Sequence, residues 1–350
     1  MTKNKNPHAA DGDSVLQQNL DYQAPGRAVG LSVMLSLVLF TAVFMSYQSA
    51  RLDQAAVDDG SQRAEIAASP RFDAAHFSLP SDELWGFVPI PAGAFLMGSD
   101  PRRDRMAYEN ERWSPTALQG SVTLPDYFMG RFEVTNAQFA AYLRATNESM
   151  LAQFTARLAG DTQAEGQSQT QPPGQGGDLP VTGVTLPQML GYARWLDAQL
   201  RNSSELPSAL RAALDSGARV TLPSEAEWEK AARGTQGAIF PWGMQPSESY
   251  ANFGSSSLLP VGSLACDTCS YGLSDMAGNA WELTRSPLRA YPFDIEASPE
   301  AVLEADPLWV MRGGSFQDGI NNVRSAVRGA VDPSVRNATI GFRLALSTLP

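Results

Sequence analysis

Two stretches of this sequence carry residues whose types and spacing could do chemistry. The first is GGSFQDGINNVRSAVRG, residues 313–329, in which two glycines precede an acid, Asp318, and two arginines, Arg324 and Arg328. A carboxylate within reach of a substrate proton can act as a general base, and arginine can bind a carboxylate through two parallel hydrogen bonds. The stretch has no cysteine, histidine or lysine, so it is either a catalytic segment or a scaffold.

The second stretch, DMAGNAWE, places Asp275 and Glu282 on either side of a turn that contains a glycine. Backbone carbonyls between the two acids can point in the same direction as the carboxylates. Hard oxygen ligands of this kind suit Ca²⁺, at distances of about 2.3–2.6 Å. The alternative is a glycine turn followed by a buried tryptophan and two solvated acids.

Several arginines stand near glycines and small residues late in the chain: Arg312, Arg324, Arg328 and Arg343. One interpretation is a set of internal salt bridges that tie loops together, with partners such as Glu133, Glu227 and Glu282. The other interpretation is a pocket for an anionic ligand, with Arg324 and Arg328 as the candidates.

The chain has few histidines and cysteines that could bind a metal ion or carry out redox chemistry. The only histidines, His8 and His76, lie outside the part predicted to fold, which argues against a histidine-ligated metal. The only cysteines, Cys266 and Cys269, form a single CDTC, which predicts either a small disulfide ring or two free thiols in a loop. A redox motif of this spacing is expected near a strand-to-helix turn, and the flanks here are typical of loops.

Composition sets wider limits. The chain has 350 residues, of which 43% are hydrophobic and 18% charged, with 29 glycines and 24 prolines. This predicts one sizeable core built from short elements joined by many turns. The net charge is −11 and no long basic stretch is present, so nucleic-acid binding is disfavoured.

The chain also contains one long apolar run, residues 28–50, without a charged residue. A helix of that length crosses a bilayer core of about 30 Å, which predicts a transmembrane signal anchor; a cleaved signal peptide is the alternative. Residues 1–27 then form a disordered cytoplasmic tail, and residues 51–83 a stalk or linker. The two flanks of this run differ little in their number of positive charges, so these charges indicate its orientation only weakly. The simpler topology is a single pass through a bacterial inner membrane with the C-terminal domain in the periplasm.

Three helix starts share one local signature. Thr135, Thr185 and Ser224 each precede a Gln or Glu by three residues, which predicts capping boxes and helices that end near residues 145, 200 and 233. Residues 162–178 are polar and of low complexity, and they predict a disordered surface insertion.

Five segments follow one another in a specific order: IPAGAFLMGSD, FEVTNAQFAAYL, VTLPSEAEWEKAARG, YGLSDMAGNAWELT, and VMRGGSF with a closing IGFRLA. Together they resemble the formylglycine-generating enzyme family, also called sulfatase-modifying factors, over about residues 84–347. The resemblance implies an α+β domain over residues 84–350, a variant of the C-type-lectin fold with little regular secondary structure.

The resemblance also implies metal sites. A structural Ca²⁺ would be held by the side chains of Asp275 and Glu282 and by the carbonyl groups of Gly278 and Ala280. A second calcium site of the family matches Asn252, but the loop SSSLLPVG offers no carboxylate as its partner.

Copper chemistry is not expected. Enzymes of the family bind copper through two cysteines that follow GGS and lie five residues apart, and these positions are Asp318 and Val323 here. Neither side chain can replace the soft thiolates that Cu(I) requires. The family's iron-dependent sulfoxide synthases need several histidines, and this chain has two.

Two functions therefore remain open. The first is a non-copper accessory, maturation or binding factor for an envelope protein or peptide. The second is an oxidoreductase or tailoring enzyme that uses other residues of the same pocket, with Asp318 or Glu282 as the general base.

Overall fold

The structure is a computed structural model, and it describes residues 72–73, 76–158, 176–292 and 308–350. All of these belong to one compact unit, Arg63–Pro350. The predicted segments 1–27 and 28–50 lie outside the described residues, as do most of the 51–83 linker and of the 162–178 insertion. Within the described ranges, no helix is both long and apolar enough to cross a membrane.

The fold mixes short helices and strands, as the glycine and proline content predicts. The helices are α1 Asn136–Thr146, α2 Glu148–Leu158, α3 Leu186–Asn202, α4 Ser208–Asp215 and α5 Glu225–Arg233. The strands are β1 Phe72–Asp73, β2 Leu79–Pro80, β3 Phe87–Ile90, β4 Gly93–Met97, β5 Gly120–Leu124, β6 Tyr127–Gly130, β7 Arg219–Thr221, β8 Trp281–Pro287, β9 Trp309–Arg312, β10 Gly329–Val331, β11 Ile340–Gly341 and β12 Ala345–Ser347.

Two four-stranded sheets organise these elements. The first has the order β3-β6-β12-β7 with antiparallel pairing throughout. The second has the order β10-β9-β8-β11, in which β11 runs parallel to β8 and the other pairs are antiparallel. Because β9 and β10 are neighbours, residues 313–328 form a long connection whose two ends lie side by side on the second sheet.

The fold begins ahead of residue 84, where the sequence predicts the end of a linker. Leu79 in β2 is 3% exposed and packs in the same apolar cluster as Trp85 and Phe87. β1 pairs with β2, so Phe72 lies opposite Pro80. The described part of the predicted linker therefore contributes to the core. The reason is that Leu79 packs against apolar residues of the folded domain.

The three predicted helix starts are confirmed. At α1, the amide of Thr135 donates to Gln138 Oε1 at 2.8 Å, and the Gln138 amide donates back to Thr135 Oγ1 at 3.3 Å. At α5, Ser224 and Glu227 exchange the same two bonds at 2.7 and 3.2 Å. At α3, the Thr185 amide donates to the Gln188 side chain at 3.0 Å. The sequence predicts these starts well because capping is a local interaction.

Helix α5 lies in the centre of the fold, and all nine of its residues are buried. They include three acids, and each carboxylate pairs with arginine. Glu227 Oε2 accepts from Arg285 Nη1 at 2.6 Å, and Glu225 accepts from Arg328 through both oxygens, at 2.6 and 2.9 Å. Glu229 accepts from its own helix neighbour Arg233 at 2.7 Å and from Arg312. The three buried carboxylates of α5 are therefore compensated, while Lys230 Nζ donates to the carbonyl groups of Pro91 and Gly93.

We expect loss of one buried arginine to destabilise the fold strongly. Arg285→Met leaves Glu227 buried without its cation, and removing one partner of such a pair typically costs about 3–5 kcal/mol. Arg112→Met is the matched control, because Arg112 pairs with Glu109, whose side chain is 82% exposed. Exposed pairs are worth about 0–1 kcal/mol. Urea unfolding followed by tryptophan fluorescence measures both changes, and equal losses would contradict a special role for the buried pair.

Candidate functional site

The connection between β9 and β10 is held at both ends by the same helix. Arg312, the last residue of β9, binds Glu229, and Arg328, directly before β10, binds Glu225. Arg312 also donates to the carbonyl groups of residues 326 and 327, at 2.8 and 2.5 Å. Residues 313–328 therefore start and end on two buried ion pairs with α5.

Arg324 fixes the middle of the connection to a distant loop. Its guanidinium is fully buried and donates to Asp104 Oδ2 at 2.6 Å and to Glu111 Oε1 at 2.7 Å. Burial lowers the pKa of Arg324, but the two carboxylates outweigh this effect and raise it above its ordinary value. The contacts of Arg324 and Arg328 favour the interpretation of the late arginines as internal salt bridges. A role for either side chain in binding an anionic ligand stays a prediction.

Asp318 closes a turn within the connection. Its Oδ2 accepts from the Ser315 amide at 2.9 Å, from Ser315 Oγ at 2.6 Å and from Trp281 Nε1 at 2.9 Å. Its Oδ1 accepts from Asn322 Nδ2 at 2.8 Å. With four donors on two oxygens, the carboxylate acts as the acceptor that orders the loop. A general base needs an oxygen that can reach the substrate proton, and these contacts leave Asp318 poorly suited to that role.

Val323, at the second position where the family's copper enzymes carry cysteine, is completely buried. It packs in an apolar cluster with Ile239, Phe240, Ala251 and Ala277; Met106, Trp242, Phe253 and Ile320 pack against this cluster. We call this set the Val323 cluster. The cysteines lie elsewhere, because Cys266 and Cys269 form a disulfide with an S–S distance of 2.01 Å. The sequence predicted either a disulfide ring or two free thiols for CDTC, and the structure has the disulfide.

Glu282, one of the expected calcium ligands, forms an internal ion pair. Arg343 Nε donates to Glu282 Oε2 and Arg343 Nη2 donates to Oε1, both at 2.5 Å. Trp228 Nε1 adds a third bond to Oε2 at 2.6 Å. Both oxygens of this carboxylate are therefore in use by neutral and cationic donors of the protein, which leaves Glu282 a poor fit to a Ca²⁺ ion and to the role of a general base.

Asp275 lies beside a different acid, Glu133. Burial, above all, raises the pKa of Asp275 to about 6 and raises that of Glu133 well above its ordinary range. The charge of Asp275 also raises the pKa of Glu133, and Glu133 Oε2 is buried without a hydrogen-bond partner. An orphaned buried carboxylate oxygen next to a second carboxyl group fits a cation, so Asp275 with Glu133 suits Ca²⁺ better than Asp275 with Glu282.

Two of the remaining expected ligands, Gly278 and Ala280, follow Asp275 closely in the chain. Gly278 has φ +73°, and a Cβ atom there would lie 2.2 Å from the carbonyl oxygen of Asn252, so the turn requires glycine. Ala280 is fully buried directly before β8. Asn252 Oδ1 accepts from Ser255 Oγ at 2.6 Å, so the residue matched to the second calcium site is engaged within its own loop. In the part of the chain that the structure describes, no group of three or more His, Cys, Asp or Glu side chains is arranged to hold a metal ion.

Sequence reasoning missed two features of this region. It assigned Glu133 to an arginine, whereas Glu133 Oε1 accepts from Asn279 Nδ2 at 3.1 Å. It also missed a cavity of about 310 Å³ beside the disulfide loop, whose lining includes Gln236, Trp242, Thr268 and Tyr271. The tryptophan of FPWG was a signal for such a surface, but one aromatic residue does not reveal an open cavity that loops distant in the chain form together.

Comparison with known proteins identifies the family. The model of the sulfatase-modifying factor enzyme 1-like domain matches residues 75–348. This chain belongs to the sulfatase-modifying factor family. The two positions at which the sequence resemblance expects cysteines in copper enzymes of the family hold Asp318 and Val323, whose contacts are described above.

Curated relatives of the family carry different activities. Hercynine oxygenase of Mycolicibacterium smegmatis is 30% identical over 74% of this chain and 60% of its own length. The serine/threonine-protein kinase Pkn1 of Chlamydia trachomatis is 30% identical over 76% of this chain and 39% of the kinase. Formylglycine-generating enzyme of Thermomonospora curvata is 28% identical over 77% of this chain and 96% of the enzyme. This chain thus spans only part of the first two relatives.

Solved structures agree with the fold. PvdO from Pseudomonas aeruginosa superposes with a TM-score of 0.52 at 25% identity, covering 75% of this chain and 94% of PvdO. Treponema denticola variable protein 1 superposes with a TM-score of 0.50 at 20% identity over 75% of this chain and 94% of that protein. The mixed α/β fold of this chain therefore matches structures of the family.

The loop role of Asp318 is testable. Asp318→Ala removes the acceptor of the Trp281 indole and of the Ser315 amide, and each buried donor left unsatisfied costs about 1–3 kcal/mol. We expect a measurable fall in thermal stability. Asp332→Ala is the matched control, because the exposed Asp332 also accepts from a serine two residues later, Ser334. Differential scanning calorimetry compares the two variants, and an unchanged melting temperature in Asp318→Ala would contradict the loop-closing role.

Proposed function

We propose that this chain is a membrane-anchored periplasmic accessory or maturation factor that binds an envelope protein or peptide and uses no copper. The observation that carries the proposal is the state of the two cysteine positions. Asp318 is saturated with hydrogen bonds and Val323 fills an apolar cluster, so this segment offers no soft ligand to Cu(I). Buried ion pairs fix this segment in place, and a segment with a fixed shape suits recognition.

The proposed location rests mainly on the sequence. The apolar run at residues 28–50 would anchor the chain in a bacterial inner membrane, with the family domain, a variant of the C-type-lectin fold, on the periplasmic side. The disulfide between Cys266 and Cys269 supports this location, because such bonds persist in the periplasm and are rare in the cytosol. No nucleic-acid partner is proposed.

The alternative of a tailoring enzyme finds less support in the contacts. It needs a carboxylate that is free to move a proton, and its two candidates were Asp318 and Glu282. Both carboxylates accept hydrogen bonds on each of their oxygens. The accessory role requires no such group.

A structural calcium ion is part of the proposal, with Asp275 and Glu133 as its carboxylate donors and the Gly278 and Ala280 carbonyls as further candidates. A ligand that binds only the folded state raises the melting temperature. We therefore expect added Ca²⁺ to stabilise the EGTA-treated protein and to do so much less in Asp275→Asn. In Glu282→Gln we expect lower stability with and without Ca²⁺, because Arg343 loses its partner. A wild-type melting temperature that does not respond to Ca²⁺ would remove the ion from the proposal.

The binding role is tested by affinity capture with the full-length tagged chain from solubilised membranes of the native host. We expect one specific partner, retained when copper is chelated and displaced by an excess of the untagged chain. Anaerobic titration with Cu(I) should show no stoichiometric binding to the same preparation. The accessory function fails if no displaceable partner is captured either with Ca²⁺ or without it.

A further inference from the structure

One histidine, His76, joins two parts of the chain that are distant in sequence. The sequence places it outside the part predicted to fold, but in the structure its ring packs against the indole of Trp85 at a centroid distance of 4.5 Å. Its Nδ1 lies 2.6 Å from Asp73 Oδ2, and its Nε2 lies 2.7 Å from Glu205 Oε2. Both ring nitrogens therefore face carboxylate oxygens at hydrogen-bonding distance.

This arrangement requires a charged ring. A neutral imidazole donates through one nitrogen only, and its other nitrogen presents a lone pair. Because a lone pair and a carboxylate oxygen repel each other, the contacts at 2.6 and 2.7 Å coexist only with the imidazolium ion. The hydrogen bonds that the ring donates to Glu205 and then to Asp73 raise the pKa of His76 above its ordinary value of 6.5.

The other charged groups around this contact have partners of their own. Near Trp85, Asp82 Oδ2 lies 3.6 Å from Arg131 Nε. In the connection between α3 and α4, the guanidinium of Arg211 donates to the carbonyl group of Ser203. The charges that favour the imidazolium ion are therefore those of the two carboxylates that accept from the ring.

The turn that follows His76 is strained. Phe77 and Ser78 have φ values of +60° and +59°, so two consecutive residues other than glycine adopt the left-handed region. Such conformations persist only where the surroundings impose them. Here the Ser78 amide donates to the carbonyl group of Asp73 at 2.9 Å, and Leu79 is buried directly afterwards. A segment held against strain opens more readily when one of its restraints is removed.

Loss of the second proton releases the contact to Glu205 rather than that to Asp73. Asp73 is three residues from His76 and belongs to the same turn. Glu205 is 129 residues away, and its side chain is 72% exposed, so it can rotate into solvent. The neutral ring therefore keeps its local partner and loses the distant one.

We propose that His76 is a pH-sensitive clasp, which as an imidazolium ion fastens the strained turn before β2 to the connection between α3 and α4 and which opens when the ring is neutral. The turn covers part of the core, because Phe77 packs edge-on against Trp195 at 5.8 Å. In the chain, the clasp stands between the apolar run at residues 28–50 and the rest of the domain. Its state therefore sets where the fastened part of the domain begins. The proposal goes beyond the binding function and does not depend on it.

The sign of the pH effect follows from the raised pKa of His76. A group whose pKa is higher in the folded state stabilises the fold fully below its ordinary pKa of 6.5. That stabilisation is lost as the pH rises through the raised value. The clasp is therefore closed in mildly acidic solution and open in alkaline solution.

Histidine-selective carbon-13 NMR on the full-length chain in detergent micelles measures the protonation of the ring. The chain has two histidines, so the His8→Gln variant leaves the signal of His76 alone. We expect His76 to titrate above pH 6.5 and Glu205→Gln to lower its pKa. Glu148→Gln, at an exposed position at the start of α2, is the matched control and should leave that pKa unchanged. A pKa of His76 at or below 6.5 would overturn the proposal.

Hydrogen exchange read by mass spectrometry measures the opening itself. After correction for the intrinsic effect of pH, the amides of residues 76–79 should exchange about threefold faster above the pKa of His76 than below it, since partly exposed ion pairs stabilise weakly. His76→Gln should abolish this pH dependence, because glutamine does not titrate. Corrected rates that stay constant in wild type while the ring titrates would show that the ring fastens nothing, and they would overturn the proposal. The same pH dependence in His76→Gln would overturn it as well.

Discussion

The compensation of charges on the buried helix α5 is the constraint on which the rest of this fold depends. An uncompensated charge in the interior costs several kcal/mol, so each of its three glutamates must meet a cation. Arg285, Arg312 and Arg328 supply these cations from positions 58, 83 and 103 residues away from their partners. Strands β8, β9 and β10 must therefore return to the helix, and the ion pairs fix where β9 ends and where β10 begins.

The same constraint explains why the connection 313–328 is ordered without metal-binding residues. Its ends are fixed on α5 and its middle is fixed by Arg324. Within the turn, Asp318 accepts hydrogen bonds from the neighbouring donors. Val323 then fills apolar space behind it. Such a segment can lose its thiolates and keep its shape, because the shape depends on buried charges and packing.

Recognition, as we propose it, requires no metal-binding residue in this segment. The open depression beside Trp242 and Tyr271 lies between loops that a disulfide and backbone hydrogen bonds hold in place. The acid pair of Asp275 and Glu133 lies apart from this role, as an internal site where a cation would satisfy an orphaned oxygen. Binding and stability would then be carried by different groups of residues.

The local features and the family could be predicted from the sequence alone. The capping boxes at Thr135 and Ser224 are where it predicted them, because a capping box depends only on two residues three positions apart. The order of five motifs also identified the family domain. Only the tertiary structure decided which acid meets which cation: Glu282 pairs with Arg343, and Asp275 lies beside Glu133. Those partners are far apart in the chain, so their contacts depend on how the sheets and α5 pack, and no local pattern of residues encodes that packing.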